Sequence, residues 1–189
     1  MTSRIAGEPF SAVFDRIGER IDEATRVLLL GHVDPDGDCI GSMFALALFL
    51  DARGKSVLCH APGNVRDRYR GLPGARFMDG EEALASFDPD LVIAVDAPTT
   101  DRFNGLAEPG GPVAIVNIDH HPTNERYGEI DVVDPAAAAA AILVCRFLEH
   151  VAPGEITPEI ADCLYLGILL DTGGFRFQNT DAGALETAA

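Results

Sequence analysis

Acidic and imidazole side chains fall where apolar segments of this sequence end. The positions are His32, Asp36 and Asp38 after residues 27–30, Asp96 after residues 91–95, Asp119, His120 and His121 after residues 113–118, and Asp171 after a helical run that ends at residue 170. In open α/β sheets, ligands bind at the carboxyl ends of the strands, so residues that are distant in sequence can converge there. The pattern therefore predicts one polar site built from several element ends.

A divalent metal centre is the chemistry that this set of side chains favours. Taken singly, an aspartate after a strand is usually a turn or helix-cap residue, and Asp36-Gly37 alone is a turn signal. The adjacent His120 and His121 behind Asp119 are different, because imidazoles beside carboxylates commonly serve a metal or a catalytic step. Carboxylate and imidazole ligands without thiolates suit Mn²⁺ first, with Mg²⁺, Co²⁺ or Zn²⁺ as alternatives.

The number of candidate ligands predicts two metal ions rather than one. The candidates are His32, Asp36, Asp38, Asp96, His120 and Asp171. Four carboxylates and two imidazoles exceed what one ion needs when positions must stay open for water and substrate. Two ions roughly 3.5–4 Å apart that share a carboxylate are the simpler interpretation.

The apolar pattern predicts an α/β fold with a mostly parallel β-sheet that is flanked by helices on both faces. Amphipathic spacing from Phe10 to Ile21 predicts an N-terminal helix. Short runs that are apolar throughout are typical of parallel strands covered on both faces. The predicted strands are residues 27–30, 57–58, 91–95 and 113–118, and the further predicted helices are residues 40–50, 135–150 and 157–170, with the first turns of another over 180–189.

Length, charge and cysteine usage limit the class of protein. The 189 residues (20.1 kDa) suit a single domain. The net charge of −16 repels polyanions, which argues against binding a long duplex. The four cysteines form no Cys-x-x-Cys pair and are expected to be buried thiols. The sequence has neither an apolar stretch of about 20 residues nor a signal peptide, so we expect a cytoplasmic protein without membrane contact.

Four segments together resemble the motifs of the DHH phosphoesterases, a family named after the Asp-His-His found here at residues 119–121. Residues 32–42 resemble the first motif, Asp96 the second, residues 119–124 the third and residues 171–175 the fourth. The motifs occur in the family's order, and the resemblance covers residues 26–180. Within the family, the chain is most similar to small bacterial RecJ-like proteins that degrade very short RNA and remove the 3′-phosphate from adenosine 3′,5′-bisphosphate (pAp). The resemblance implies a short single-stranded nucleic acid or small nucleotide as the substrate.

The resemblance also implies a role for each polar residue. One manganese ion would be bound by His32, Asp36 and Asp96, and the other by Asp38, Asp96, His120 and Asp171. His121 would face the substrate phosphate as a catalytic residue, and Asp119 would orient a histidine. The expected substrate contacts are Asn124, Ser42 and Arg102. A water held between the two cations would lose a proton near neutral pH and attack phosphorus in line with the departing oxygen.

The sequence departs from the family pattern in two places. Relatives usually carry Ser or Thr and then Glu after the counterpart of Asp134-Pro135, whereas residues 136–141 are all alanine here. Alanine favours helix but offers no side-chain hydrogen bond, so we expect no side-chain support for the metal ligands from this segment. Family members also continue into a smaller domain with a glycine-rich, His-containing motif that grips the substrate. Residues 1–189 are therefore expected to be the DHH catalytic domain of a longer protein.

Other functions are left open by the sequence alone. A cyclic-dinucleotide phosphodiesterase and a manganese-dependent pyrophosphatase share this kind of metal centre, and a substrate profile separates them from the leading interpretation. A nucleotide-binding module that has lost catalysis is the non-enzymatic alternative, favoured only by the alanine run. Metal content would separate such a module from an enzyme. A homodimer is also left open.

Overall fold

The chain folds around a five-stranded sheet in which every pair of neighbouring strands runs parallel. The computed structural model describes residues 9–63, 65, 69–78 and 81–189. The strands are β1 (Arg26–Leu30), β2 (Ser56–His60), β3 (Leu91–Val95), β4 (Ala114–Asp119) and β5 (Ile130–Val133), in the order β2-β1-β3-β4-β5. The predicted α/β class with a parallel sheet is confirmed.

Helices cover both faces of the sheet, as predicted. They are α1 (Phe10–Glu23), α2 (Gly37–Ala52), α3 (Glu81–Ser86), α4 (Ala140–Val151), α5 (Pro158–Asp171) and α6 (Ala182–Ala188), with short 3-10 helices at Pro73–Phe77 and Thr100–Phe103. The larger core lies between the sheet and helices α1, α2, α4 and α5, and a smaller one lies on the α3 face. All four cysteines are free and buried, as expected. Among the described residues, no helix has the length and apolar character needed to cross a bilayer.

The order of the strands creates a crevice at the carboxyl end of the sheet. From β1 the chain moves outward to β2, then crosses back and adds β3 and β4 on the other side of β1. Connections therefore leave β1 and β3 in opposite directions, which opens the sheet edge between them. Leu30 at the end of β1 pairs in register with Ala94 near the end of β3. Polar residues that follow these strands must consequently meet above one edge.

The sequence prediction does not include α3, and two further elements differ from it. The apolar pattern does not predict β5, because Asp131 interrupts a strand of only four residues. The helix predicted from Pro135 begins instead at Ala140, and Ala139 before it is extended, with φ −160° and ψ 152°. The first amides of α4 donate hydrogen bonds to Asp38 in α2. This contact between distant segments sets the start of the helix, which local alanine propensity cannot reveal.

Two glycines allow α2 and α5 to pack closely beside the crevice. A Cβ atom on Gly41 would lie 2.3 Å from the carbonyl oxygen of Cys163, and one on Gly167 would lie 2.8 Å from Oδ1 of Asp38. Neither distance leaves room for a methyl group. The close approach brings Asp171, the last residue of α5, next to the beginning of α2.

A buried carboxylate in β5 gives a test of stability that is independent of the crevice. Asp131 is fully buried, and burial raises its pKa to about 6. Because this lies above the usual 3.8, the group favours folding at acid pH, and that contribution is lost as pH rises through about 6. We expect Asp131→Asn to stabilise the protein by about 1–2 kcal/mol above pH 6 and by progressively less towards pH 4. Urea unfolding at two pH values measures this, and an equal gain at both would contradict it.

Candidate metal centre

The structure brings the six predicted metal ligands together at the carboxyl edge of the sheet. His32 follows β1, Asp96 follows β3 and His120 follows β4. Asp36 caps the N-terminus of α2 by accepting hydrogen bonds from the amides of Asp38 and Cys39. Asp38 lies in the first turn of α2, and Asp171 ends α5. Three strand ends, one helix start and one helix end thus supply neighbouring side chains.

His32 presents one ring nitrogen to carboxylates and the other to the backbone. Its Nε2 lies 3.5 Å from Oδ2 of Asp96 and 3.9 Å from Oδ1 of Asp36. Its Nδ1 lies 2.8 Å from the carbonyl oxygen of Val33, to which it can only donate. Burial lowers the pKa of His32, but hydrogen bonds to Asp36 and Asp96 outweigh that effect and raise it to about 10. The contact with Val33 therefore assigns Nε2 to the carboxylates.

His120 repeats this arrangement with three carboxylates. Its Nε2 lies 3.5 Å from Oδ1 of Asp96, 3.6 Å from Oδ2 of Asp171 and 3.8 Å from Oδ2 of Asp38. Its Nδ1 lies 3.2 Å from the carbonyl oxygen of Ala137. Burial lowers the pKa of His120, and the surrounding carboxylates outweigh burial and raise it to about 9.

Asp96 lies between these two imidazoles. Its Oδ2 faces Nε2 of His32, and its Oδ1 faces Nε2 of His120, with Nδ1 of His121 also 3.5 Å from Oδ1. Oδ1 is buried and has no hydrogen-bond partner among the described residues, although a buried carboxylate oxygen without a partner is costly. The backbone of Asp96 has φ +54°, a strained value for a residue with a side chain. A carboxylate held this way, with one oxygen towards each imidazole, fits a ligand shared by two cations.

The backbone of the alanine run supports Asp38. The amide of Ala140 donates to Oδ2 of Asp38 at 2.6 Å, and that of Ala141 donates to Oδ1 at 2.9 Å. Burial and the charge of Asp96 raise the pKa of the Asp38 carboxyl well above its usual value. The positive end of the α4 dipole opposes that effect. Together with the carbonyl of Ala137, these amides give the run a supporting role that needs no polar side chain.

Ser42, which the sequence predicts as a substrate contact, lies inside the protein beside Asp38. Its side chain is fully buried, and its hydroxyl lies 3.4 Å from Oδ1 of Asp38. The two residues are four apart on α2, which puts them on the same helix face one turn apart. The hydroxyl therefore points along the helix to the carboxylate.

His121 is the histidine that Asp119 contacts. Oδ1 of Asp119 lies 2.7 Å from Nδ1 of His121, and Oδ2 accepts a hydrogen bond of 2.6 Å from the amide of Asn124. Asp119 is fully buried. Burial raises its pKa, but the hydrogen bonds from His121 and Asn124 outweigh burial and hold it below its usual value. With 40% of its side chain exposed, His121 faces the crevice more openly than His32 or His120.

Arg102 lies beside His32 at the rim of the cluster. Its Nη2 is 3.3 Å from Nδ1 of His32, but that nitrogen donates to Val33 and cannot accept as well. Its Nε is buried without a hydrogen-bond acceptor among the described residues. Its backbone carbonyl accepts a hydrogen bond of 2.7 Å from the amide of Val33. Arg102 thus brings a positive charge with unused donors to an acidic site.

One further group that sequence reasoning did not assign lies close by. The thiol of Cys39 can be grouped with His32 and Asp96 within 4.8 Å. It is fully buried, and burial raises its pKa well above the usual value. The group therefore stays a neutral thiol, which is a poor ligand for a hard cation.

Comparisons with known proteins agree with this geometry. A family described as "DHH family, N-terminal domain" matches residues 26–168. The chain is 39% identical over 168 residues to the bifunctional oligoribonuclease and PAP phosphatase NrnA of Thermus thermophilus, a match that covers 86% of this chain and 48% of that protein. It is 27% identical over 176 residues to the cyclic-di-AMP phosphodiesterase GdpP of Bacillus subtilis, covering 85% of this chain and 27% of that protein.

A solved structure shares the fold. The crystal structure of an exopolyphosphatase-related protein from Bacteroides fragilis superposes with a TM-score of 0.83 at 26% identity, covering 94% of this chain and 57% of that one. The chain spans about half the length of the NrnA protein that it matches.

Proposed function

The chain belongs to the DHH family, and from that premise we propose that it is a metal-dependent phosphoesterase acting on short oligoribonucleotides and on pAp. The observation that carries this proposal is the carboxylate of Asp96, whose two oxygens face His32 and His120 separately. A single cation would not need a carboxylate divided in this way. Two divalent cations, with Mn²⁺ as the first choice, are the cofactor that we propose.

Each cation would be held by its own group of residues. His32, Asp36 and Asp96 would hold one, and Asp38, Asp96, His120 and Asp171 would hold the other. When bound, the two cations supply a Lewis acid for the phosphate and lower the pKa of a water. Asp36, Asp38 and Asp171 neutralise their charge, while the carbonyls of Val33 and Ala137 fix the ring orientation of the two ligand histidines.

His121 would act directly on the substrate phosphate. Asp119 accepts a hydrogen bond from the protonated Nδ1 of His121. The Nε2 atom is therefore the nitrogen left for the substrate. From there His121 can stabilise charge on the phosphate or hold a proton for the departing oxygen. Arg102, which lies beside His32, would contribute a charge-assisted hydrogen bond to a phosphate. Arg102→Gln should then raise KM about tenfold or more with little change in kcat.

Metal binding should release protons. The pKa values of about 10 for His32 and about 9 for His120 describe the protein side chains alone. A cation that binds Nε2 of either ring must displace a proton there, so near neutral pH we expect release of about two protons per chain. Isothermal titration calorimetry with Mn²⁺ in buffers of different ionisation enthalpy measures this number. Heat that does not depend on the buffer would contradict the assignment of both rings as ligands.

The substrate class is tested by a profile of hydrolysis with Mn²⁺. We expect turnover of pAp and of di- to pentaribonucleotides, and little turnover of cyclic di-AMP or inorganic pyrophosphate. The match to GdpP favours cyclic di-AMP as the second candidate. Preferential turnover of cyclic di-AMP would replace the proposed substrate, and no turnover with full metal loading would favour a binding module.

A further inference from the structure

A buried amide in β4 is fully occupied by hydrogen bonds. Asn117 lies between Val116 and Ile118 in the strand, and its side chain is inaccessible to solvent. Its Nδ2 lies 2.9 Å from the hydroxyl of Tyr127 and 3.3 Å from the carbonyl oxygen of Ala97. Burying a polar amide is unfavourable unless it is hydrogen-bonded, and here both hydrogens have acceptors.

Asn124 connects this amide to Asp119. Its Nδ2 donates to Oδ1 of Asn117 at 2.7 Å and to Oδ2 of Asp119 at 2.6 Å. Its Oδ1 accepts a hydrogen bond of 2.7 Å from the amide of Arg126. Every polar atom of the side chain is therefore used within the protein, which argues against the predicted role of Asn124 as a substrate contact.

Tyr127 connects Asn117 to Ala97, the residue that follows Asp96. Its hydroxyl donates to the carbonyl oxygen of Ala97 at 2.9 Å and accepts from Asn117. Ala97 follows Asp96, whose backbone is held at φ +54°. The three side chains Asn117, Asn124 and Tyr127, here called the asparagine–tyrosine network, thus join the peptide behind Asp96 to the carboxylate of Asp119.

We propose that the asparagine–tyrosine network positions Asp119, and through it the ring of His121, for the reaction. With Oδ2 of Asp119 held by Asn124, Oδ1 stays on Nδ1 of His121, and the proton remains on Nδ1 rather than Nε2. The same network holds the peptide behind Asp96, so it sets the relative position of the two residues. Its members are positioning residues, since their polar side-chain atoms are used by hydrogen bonds within the protein. This inference rests on the proposed function, in which His121 contacts substrate.

A double-mutant cycle distinguishes positioning from general support. We expect Asn124→Ala to lower kcat about 10- to 100-fold, the range typical of groups that orient an active-site ligand, with KM and Mn²⁺ content nearly unchanged. In a His121→Ala background the same change should have almost no further effect, because the group that it positions is gone. Glu125→Ala, at an exposed neighbouring position, is the matched control and should keep wild-type kcat. Equal losses in both backgrounds would overturn the proposal.

A second measurement does not depend on turnover. The chain has five histidines, so the ring nitrogens of Mg²⁺-loaded protein can be followed by long-range ¹H–¹⁵N NMR at alkaline pH. We expect His121 to show its proton on Nδ1 in the wild type, and a mixture of tautomers in Asn124→Ala and, to a smaller extent, in Tyr127→Phe. His150, which contacts Asp15 on the far helix, should not change. An unchanged tautomer in both variants would overturn the inference, whereas an inactive wild type with the expected tautomers would overturn only the proposed function.

Discussion

Asp96→Asn is expected to lower kcat/KM by roughly 10³-fold or more and to reduce bound Mn²⁺ from two ions per chain to one or none. The change keeps the shape of the side chain but removes the charge that faces both His32 and His120. Losing a shared ligand weakens the binding of both cations at once. The two ions supply several kcal/mol of transition-state stabilisation, and about 1.4 kcal/mol corresponds to a tenfold change in rate. Steady-state kinetics with pAp and elemental analysis of dialysed protein measure the two effects.

The matched control for this change is Asp131→Asn. Asp131 is also a buried aspartate, but it lies within β5 and belongs to none of the groups of candidate metal ligands. It should keep full activity and metal content while the protein becomes more stable. If Asp96→Asn retained two Mn²⁺ ions per chain, Asp96 could not be the shared ligand.

His121→Ala is expected to lower kcat about 10²- to 10⁴-fold while both cations stay bound. This range is typical of removing a group that transfers or stabilises a proton in the transition state. The Nδ1 of His121 lies 3.5 Å from Oδ1 of Asp96. Because this nitrogen carries the proton that it donates to Asp119, it offers no lone pair to a cation, and we expect metal binding not to depend on the ring. Single-turnover kinetics at saturating Mn²⁺ isolates the chemical step.

The control for His121→Ala is His150→Ala. His150 lies on α4 and pairs with Asp15 of α1 at 2.7 Å, away from the crevice. We expect wild-type kcat from this variant. A His121→Ala protein that lost Mn²⁺ in proportion to its activity would show that His121 is a ligand rather than a catalytic residue.

The position of the candidate site was predictable because its residues follow strands. Hydrophobic runs identify β1, β3 and β4, and parallel strands end on the same edge, so His32, Asp96 and His120 could be brought together without coordinates. The motif spacing then separated these residues from ordinary turn aspartates. Asp171 required the additional prediction that α5 ends at this edge, which its close packing on α2 explains.

The contacts that support the candidate metal ligands were not predictable from the sequence. They depend on the direction in which a side chain points and on backbone groups. Ser42 has the right chemistry for a substrate contact, but its place on α2 turns the hydroxyl to Asp38. The alanine run has no polar side chain, yet its amides and a carbonyl reach Asp38 and His120. A search for donors among side chains misses this support.

The hydrogen-bonding role of Asn117, in contrast, could have been predicted from the sequence. The apolar pattern predicts a strand over residues 113–118, although an asparagine lies inside the run. A polar amide at a position that must be buried between two helical layers needs partners. Tyr127 and Asn124, ten and seven residues further on, are those partners. The asparagine within the apolar run thus indicates a hydrogen-bonded network.

The claim that two cations share Asp96 is tested most directly by titrating the protein with Mn²⁺ and following its electron paramagnetic resonance spectrum. Two ions roughly 3.5–4 Å apart are magnetically coupled. The account predicts a stoichiometry of two Mn²⁺ per chain and a spectrum of a coupled pair that Asp96→Asn abolishes. One Mn²⁺ per chain, or two that remain uncoupled, would contradict it.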